Sequence, residues 1–255
     1  MISDSMSIQV KICDTPDDVA RAAASKIAAL IRQKSDAVLG LATGSTPVRT
    51  YAELVRMNRE GLSFSRLTTF NLDEYWGLDG THPQSYRYFM NRTFFDGTDI
   101  QLWNTHVPNG MAVDADLECE AFEARIRACG GVDVWLLGIG RNGHIAFNEP
   151  GSAPDSRTRL VDLTESTIAA NSRFFERVED VPKQALTAGI ATICEARRII
   201  LLAMGTDKAG AIARAVQGIP HPSCPASFLQ THSDCTFILD REAASEVRRV
   251  KTTNS

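Results

Sequence analysis

Near the middle of the chain lies Val134-Trp-Leu-Leu-Gly-Ile-Gly-Arg-Asn-Gly-His-Ile-Ala-Phe-Asn-Glu-Pro-Gly151. Its first half is a short apolar run that ends at glycines, which is typical of a buried strand leading into a turn. Its second half carries His144 and Glu149 on a segment that Pro150 keeps from continuing as a long helix. A buried strand that ends in a polar loop with titratable side chains is how open α/β sheets build their sites.

The glycines of this stretch also match the dinucleotide fingerprint G-x-G-x-x-G, at Gly138, Gly140 and Gly143. A dinucleotide site requires a helix that begins at the third glycine, so that its N-terminus faces the pyrophosphate. Pro150 follows too soon for such a helix, and no helical pattern of apolar residues occurs before Thr164. We therefore interpret the glycines as a tight turn and not as a nucleotide site.

The rest of the chain alternates short β-rich runs with amphipathic helical patterns. Thr15 is the predicted N-cap of a first helix that opens at Pro16, and Thr46 is the predicted N-cap of the second helix. The alternation predicts an α/β fold, with an open, mostly parallel sheet covered by helices on both faces and residues 1–255 forming one domain. A polar tail at 251–255 is expected to fray. The predicted strands are 8–12, 37–42, 67–71, 132–139, 198–204 and 235–239, and the further helices are 47–57, 114–129, 207–217 and one from 241.

Composition disfavours several classes of protein. The chain has 255 residues, 44% of them hydrophobic, and a formal net charge of −4, so it lacks the basic surface of a nucleic-acid binder. No apolar run approaches the roughly 18 residues of a membrane-spanning helix, and we expect no membrane association and a cytoplasmic location. The six cysteines form no C-x-x-C pair, and no His/Cys cluster has ligand spacing, so we expect neither a disulfide framework nor a metal site.

Two junctions between a strand and a helix carry groups that could bind an anion. In Ala42-Thr-Gly-Ser-Thr-Pro47, Gly44 permits a positive φ, so that successive N–H groups can point at one anion, although an ordinary capped turn is the alternative. Lys208 lies in the first turn of a helix, where an anion would offset its repulsion by the helix dipole, or where the lysine simply extends into solvent. Arg173 could reach a phosphate or could lie along the surface.

Two other junctions carry candidate acid–base groups. In Phe70-Asn-Leu-Asp-Glu-Tyr-Trp76, the carboxylate of Asp73 or Glu74 follows a strand and could act as a general base, or the two could form a solvated loop pair. His144 could move protons near neutral pH, with Glu149 fixing its tautomer. The alternatives are a hydrogen-bonded structural histidine and a turn carboxylate.

Taken in order, five segments resemble the glucosamine-6-phosphate deaminase family over nearly the whole chain: 41–47, 70–75, 140–150, 170–175 and 205–208. The resemblance implies a Rossmann-like fold and conversion of glucosamine 6-phosphate and water to fructose 6-phosphate and ammonia, without a cofactor or metal. It implies that Asp73 is the proton-transfer base and that His144, supported by Glu149 and Asn142, is the ring-opening acid/base. The residues it implies for phosphate binding are Gly44, Ser45, Thr46, Arg173 and Lys208.

The chain departs from many members of this family at two places. Asn142 stands where many carry aspartate, so it can hydrogen-bond His144 but cannot share a negative charge with it. Arg159 remains at a position where allosteric members bind N-acetylglucosamine 6-phosphate, but Val161 stands where they carry lysine. We therefore expect no activation by that effector. The oligomeric state is left open, a homo-oligomer included.

Three rival functions remain to be separated. A galactosamine-6-phosphate deaminase/isomerase shares the general motifs, but the segments around Asp73 and Arg173 look more like the glucosamine enzyme. A 6-phosphogluconolactonase is more distant, because ester hydrolysis does not explain the match around Asp73. A sugar-phosphate-binding regulator without catalysis is disfavoured because Asp73, His144 and Glu149 are all present.

Overall fold

A seven-stranded parallel sheet forms the centre of the structure, a computed structural model in which residues 8–248 are described. The predicted tail at 251–255 lies outside these residues. Within the sheet the strand order is β1-β10-β9-β6-β2-β3-β5, and every pairing is parallel. The strands of the described residues are β1 (Gln9–Cys13), β2 (Val38–Leu41), β3 (Thr68–Asn71), β4 (Asp73–Tyr75), β5 (Thr105–His106), β6 (Val134–Leu137), β7 (Arg159–Asp162), β8 (Gln184–Thr187), β9 (Ile199–Ala203) and β10 (Cys235–Asp240).

Helices cover both faces of this sheet, as the sequence predicted. Along β6, Trp135 and Leu137 belong to an apolar core shared with α4 and α7, whereas Val134 and Leu136 belong to a second core shared with α1 and α2. A strand whose successive side chains enter two different cores must be covered on both sides. The helices of the described residues are α1 (Pro16–Gln33), α2 (Val48–Arg59), α3 (Tyr86–Thr93), α4 (Ala115–Ala128), α5 (Glu165–Asn171), α6 (Ile190–Cys194) and α7 (Ala209–Gln217).

The order of the strands reverses between β2 and β6. From β2 the chain builds outward through β3 to β5, and it then returns to the other side of β2 and builds through β6 and β9 to β10. In open α/β sheets, ligands bind at such a reversal, in the crevice beyond the carboxyl ends of the strands. The segments 42–47 and 138–144 leave β2 and β6 at this crevice.

A second, antiparallel sheet of three strands was not predicted. In it β4 pairs with β8, and β8 pairs with β7. Asp73 and Glu74 therefore lie on a buried strand, and the interpretation of the two as a solvated loop pair is wrong. Only Leu72 separates β3 from β4, so the chain passes from one sheet to the other directly at the crevice.

The predicted helix starts are correct in part. The Thr15 hydroxyl accepts a hydrogen bond from the Asp18 N–H at 3.2 Å and caps α1, as predicted. The prediction that Thr46 caps α2 is wrong: Pro47 occupies the cap position, no side chain caps it, and the Thr46 side chain instead lies over Gly138. Helix α7 begins two residues later than predicted, because residues 206–208 form a 3-10 turn before it.

The predicted helix from residue 241 is absent from the described part of the chain, where 241–246 form successive turns. The Asp240 carboxylate accepts hydrogen bonds from the Ala243 N–H and from the Gly205 N–H, which ties this segment to the end of β9. The Ala244 N–H donates to the Asp240 carbonyl at four-residue spacing, but the Ser245 N–H then donates to Glu242 and the Val247 N–H to Ala244, both at three-residue spacing. These contacts favour turns over the four-residue spacing of an α-helix.

Among residues 8–248, no helix is long and apolar enough to cross a lipid bilayer. All six cysteines are free thiols, and five of them are at least partly buried, Cys129 being the exposed one. The described side chains contain no cluster of three or more His, Cys, Asp or Glu arranged to hold a metal ion.

Candidate active site

The turn after β6 packs the His144 ring against the backbone of Gly140. The Gly143 N–H donates to the Gly140 carbonyl at 3.0 Å, the Gly140 N–H donates to the His144 carbonyl at 2.9 Å, and Gly143 has a φ of +95°. A Cβ atom on Gly140 would overlap three atoms of the His144 imidazole. In the glycine pattern that resembled a nucleotide fingerprint, Gly140 therefore leaves the space that the His144 ring occupies. No helix follows Gly143, which agrees with the rejection of a dinucleotide site.

Replacing Gly140 tests this arrangement. We expect Gly140→Ala to lower kcat/KM about 10- to 100-fold, because the added methyl group displaces the His144 imidazole from its position. Gly210→Ala is the matched control, since a Cβ there has only ordinary contacts at 3.5 Å. Steady-state kinetics of both variants decides: equal activity for Gly140→Ala and the parent would show that the position of the imidazole does not matter.

His144, Glu149 and Asn142 form one cluster. The His144 Nδ1 atom lies 3.4 Å from Glu149 Oε1, within ion-pair distance but without the geometry of a hydrogen bond. The Asn142 side-chain amide donates to Glu149 Oε2 at 2.6 Å, and the His144 N–H donates to Asn142 Oδ1 at 3.1 Å. Thr167, on α5, donates its hydroxyl to Glu149 Oε1 at 2.7 Å. The carboxylate is therefore fixed from three sides, facing the imidazole.

These neighbours keep Glu149 ionised. Burial would raise the pKa of this carboxyl, but the nearby His144 ring and the donors Thr167 and Asn142 outweigh burial and lower the pKa to about 2. A carboxylate that stays charged at every working pH can orient the imidazole and stabilise its protonated form.

Asn142→Asp tests the role of residue 142. An aspartate would place a second carboxylate against Glu149, at the position of an amide that now donates to it at 2.6 Å. An added negative charge favours the protonated form of the groups around it, and the His144 imidazole belongs to this cluster. We therefore expect the acidic limb of the pH profile of kcat/KM to move to higher pH in Asn142→Asp. An unchanged profile would show that residue 142 does not tune this cluster.

Asp73 borders the same loop through Thr187 of β8. Asp73 pairs with Thr187 across the antiparallel sheet, and the Thr187 hydroxyl accepts a hydrogen bond from the Phe147 N–H at 3.1 Å. The Leu72 carbonyl likewise accepts from the Ala188 N–H at 2.7 Å. The start of β4 and the loop that carries His144 and Glu149 thus share the end of β8 as a common support.

The Asp73 carboxyl lies in a strongly desolvated environment. Its residue is only 6% exposed, and among residues 8–248 no donor hydrogen-bonds its carboxyl oxygens. Burial, and then the charge of Glu74, raises the pKa of Asp73 to about 8. A carboxylate with so high a proton affinity is a stronger base than an exposed one, which suits the removal of a proton from carbon.

Glu74, the alternative base, is occupied elsewhere. Its carboxylate accepts hydrogen bonds from the backbone N–H groups of Tyr75, Tyr86 and Arg87 at 2.8–2.9 Å, at the start of α3. Burial raises the pKa of Glu74 to about 7, although these three donors oppose the rise. Glu74 therefore holds α3 against β4, and Asp73 is the member of the pair to which no described side chain or backbone N–H donates.

The candidate anion-binding groups lie on three neighbouring loops. Gly44 has a φ of +84°, as predicted, and Thr46 lies over Gly138, so the segment 42–47 contacts the turn after β6. The ammonium group of half-buried Lys208 lies 3.8 Å from the Asp207 carboxylate, and both residues follow β9. The same carboxylate accepts a hydrogen bond at 2.9 Å from Arg141, which lies in the turn after β6. These contacts bring the loops after β2, β6 and β9 together.

Arg173 follows α5 in a short 3-10 turn, and its side chain is exposed. The adjacent Phe175 ring contacts Tyr75 of β4 and His82, with ring centroids 6.1 and 6.3 Å apart. Thr167 on α5 bonds Glu149. The segment 164–175 therefore packs along the edge of the crevice.

Comparisons with known proteins agree with this geometry. Residues 14–238 match the profile of the family described as glucosamine-6-phosphate isomerases/6-phosphogluconolactonase. The chain is 52% identical to a glucosamine-6-phosphate deaminase of Shewanella loihica and 53% identical to glucosamine-6-phosphate deaminase 1 of Giardia intestinalis, each over 94% of this chain and 90% of the relative. The chain belongs to this family.

Solved structures of family members show the same architecture. The structure of a monomeric glucosamine-6-phosphate deaminase superposes with a TM-score of 0.91 at 47% identity, covering 94% of this chain and all of the other. A 6-phosphogluconolactonase from Trypanosoma cruzi superposes with a TM-score of 0.79 at 22% identity, covering 98% of this chain and all of the other. At that identity the lactonase is evidence for the fold alone.

Sequence reasoning missed three contributors to the crevice. Thr167 is a direct partner of Glu149, Phe175 anchors the segment 164–175 on Tyr75, and Arg141 shares Asp207 with Lys208. Arg141 could have been identified from the sequence, because it is a cation between two glycines of the turn that carries His144, and a cation there could contribute to phosphate binding. Nothing in the local pattern around Thr167 points to a carboxylate 18 residues away in the chain.

Proposed function

We propose that this protein is a glucosamine-6-phosphate deaminase: it isomerises and deaminates glucosamine 6-phosphate, with water, to fructose 6-phosphate and ammonia, a hydrolytic step of amino-sugar catabolism. The single observation that carries the proposal is the crevice, where a desolvated Asp73 and the His144–Glu149–Asn142 cluster share one support. About 50% identity to curated deaminases over most of the chain supports it. The steps need only proton transfers and the addition of water, with no change that requires an electron carrier, so we propose no cofactor.

In the proposed first step the closed sugar opens. His144 donates a proton to the ring oxygen, and the bond between C1 and the ring oxygen breaks. The C1 hydroxyl returns a proton to the neutral imidazole as its own C–O bond becomes the aldehyde carbonyl. Glu149, held ionised, stabilises the imidazolium form and orients the ring. Asn142 completes the arrangement by bonding both Glu149 and the backbone of His144.

In the proposed second step Asp73 removes the proton from C2 and returns it to C1, while the aldehyde oxygen gains a proton and the amine on C2 loses one. The product is an imine at C2, which water attacks; ammonia leaves and fructose 6-phosphate remains. One carboxylate can serve both carbons because they are adjacent, provided that the substrate is held still. Burial favours this role, since a desolvated carboxylate binds a proton strongly.

We propose that the substrate phosphate binds at the far end of the crevice, where orientation is set. The N–H groups of Gly44, Ser45 and Thr46 and the cations of Lys208 and Arg173 suit an anion. Binding there fixes the sugar relative to the acid–base groups, which contributes on the order of several kcal/mol to lowering the barrier. We further propose a single working domain over residues 1–255 and a cytoplasmic location.

One assay separates this function from its rivals. Ammonia release is measured from glucosamine 6-phosphate and from galactosamine 6-phosphate, and lactone hydrolysis is measured with 6-phosphogluconolactone, with Asp73→Asn as the control. We expect release from the glucosamine substrate that the control loses. Faster release from the galactosamine epimer would identify the galactosamine enzyme, lactone hydrolysis alone would identify the lactonase, and sugar-phosphate binding without any turnover would identify a regulator.

A further inference from the structure

Arg159 is a partly buried cation without a carboxylate partner among the described residues. It lies at the start of β7, and one guanidinium nitrogen donates to Asn148 Oδ1 at 2.9 Å and to the Arg157 carbonyl at 3.3 Å. The other nitrogen donates to the Ser152 hydroxyl at 3.3 Å. All its protein contacts are therefore neutral acceptors. Removing a guanidinium from water without an opposite charge stabilises a fold poorly, so a contribution to stability alone does not explain this arrangement.

Asn148, the first of these acceptors, is fully buried between the two halves of the crevice. Its side-chain amide donates to the Ile145 carbonyl at 3.0 Å and to the Ala188 carbonyl at 2.8 Å. Ile145 follows His144 directly, and Asn148 directly precedes Glu149. Ala188 donates its own N–H to Leu72, the residue before Asp73. One side chain thus links the loop of His144 and Glu149 to the strand of Asp73.

This link works in only one orientation of the Asn148 amide. The correct orientation directs the NH₂ group at two carbonyl oxygens, whereas a rotated amide would place its own oxygen against them. In the remaining contact the charged Arg159 guanidinium donates a hydrogen bond to Asn148 Oδ1, and only the amide oxygen, not the NH₂ group, can accept it. Arg159 therefore selects the orientation in which both carbonyls are bonded.

We infer that Arg159 is a positioning residue for the reaction: through Asn148 it sets the distance between the His144–Glu149 pair and Asp73. Arg159 does not need to touch the substrate, since the fully buried Asn148 stands between. The inference deepens the proposed function and rests on it. It also gives Arg159 an internal role in this chain, directed at the catalytic loop and not at a ligand on the surface.

Three variants test this role. Arg159→Met keeps the unbranched stem and removes every donor, and Arg159→Lys keeps one charged donor. Arg157→Met is the matched control, because the Arg157 guanidinium, two residues away, bonds to Glu123 and Glu195 on the other side of the segment. The readouts are kcat and KM for glucosamine 6-phosphate and hydrogen–deuterium exchange of the peptide over 144–151, whose Asn148 and Phe147 N–H groups bond to Ile145 and Thr187.

We expect Arg159→Met to lower kcat about 10- to 100-fold with KM changed less than about 3-fold, because misplaced groups slow the chemistry more than they weaken binding. Deuterium uptake over 144–151 should rise in the same variant and stay at the parental level elsewhere. Arg159→Lys should recover part of kcat, and Arg157→Met should match the parent. A kcat within about 2-fold of the parent for Arg159→Met would overturn the inference.

The exchange measurement keeps this test separate from the proposed function. If the parent protein releases no ammonia from any sugar phosphate, the function fails, but uptake over 144–151 still reports whether Arg159 holds the loop. Unchanged uptake in Arg159→Met would then overturn the positioning role by itself. If Arg159→Met does not fold, Arg159→Lys carries the test: a lowered kcat with a rise in uptake confined to 144–151 would support the inference, and a lowered kcat with parental uptake over 144–151 would contradict it.

Discussion

Asp73→Asn is expected to lower kcat for ammonia release about 10³-fold, the largest effect of any single change in the crevice. The amide keeps the size of the carboxylate but cannot take the proton from C2. The fold should be retained, because among the described residues the Asp73 carboxyl oxygens accept no hydrogen bond that the substitution would remove. The measurement is coupled detection of ammonia, with Asp79→Asn on the following loop as a control for the loss of an acidic residue.

The pH dependence of the same pair of proteins gives an independent check. With a pKa raised by burial to about 8, Asp73 becomes a competent base only as the pH approaches that value, so kcat/KM should rise with pH up to about pH 8. The stability of the folded protein should instead decrease as the pH rises. Between about pH 4, where an unfolded aspartate ionises, and pH 8, the folded protein binds more protons than the unfolded chain, and its free energy of unfolding falls as the pH rises.

Asp73→Asn removes this penalty, so the melting temperature of the variant should exceed that of the parent by more at pH 8 than at pH 5. Glu74, whose pKa burial also raises, remains in both proteins. A difference in melting temperature that stays constant between pH 5 and pH 8 would contradict the strong desolvation of Asp73. Near-parental ammonia release by the variant would remove Asp73 from the mechanism altogether.

His144→Gln is expected to lower kcat about 10²-fold or more, because glutamine cannot carry the proton to the ring oxygen. The Glu149 carboxylate, with a pKa of about 2, would keep its bonds to Asn142 and Thr167, so the loop should keep its shape. The defect should therefore be confined to the step that opens the ring. His221→Gln is the control, since that histidine is exposed and its hydrogen bonds to described residues stay within its own loop, at Ser223, Cys224 and Ser227.

An open-chain ligand separates this step from the next. A reduced, acyclic amino-alditol phosphate needs no ring opening, so its inhibition constant should stay within about 3-fold of the parental value in His144→Gln. Large losses of both catalysis and acyclic-ligand binding would instead mean that His144 holds the open chain. Parental turnover by His144→Gln would show that the imidazole is a structural group.

The candidate site was predictable where its signals are local. The run from Val134 to Leu137, the glycine turn and the proline after Glu149 are consecutive in the chain, and together they predicted a buried strand that delivers His144 without a helix. The positive φ of Gly44 was predictable for the same reason. The prediction that Thr46 caps α2 was wrong because the Thr46 side chain lies over Gly138, which follows a different strand and is 92 positions away in the chain.

The sequence by itself determined the alternation of strands and helices and the parallel sheet with its two apolar faces, since these follow from spacing and turn residues. The candidate acid–base groups were implied by the resemblance to a known family, whereas the residues alone left Asp73 and Glu74 as alternatives. Only the tertiary structure decided what those groups can do. The antiparallel sheet buries Asp73 and makes it basic, Thr167 helps to keep Glu149 ionised, and Asn148 with Arg159 joins the two halves of the crevice. The physical reason is that desolvation and hydrogen bonding depend on neighbours in space, which here come from distant positions in the chain.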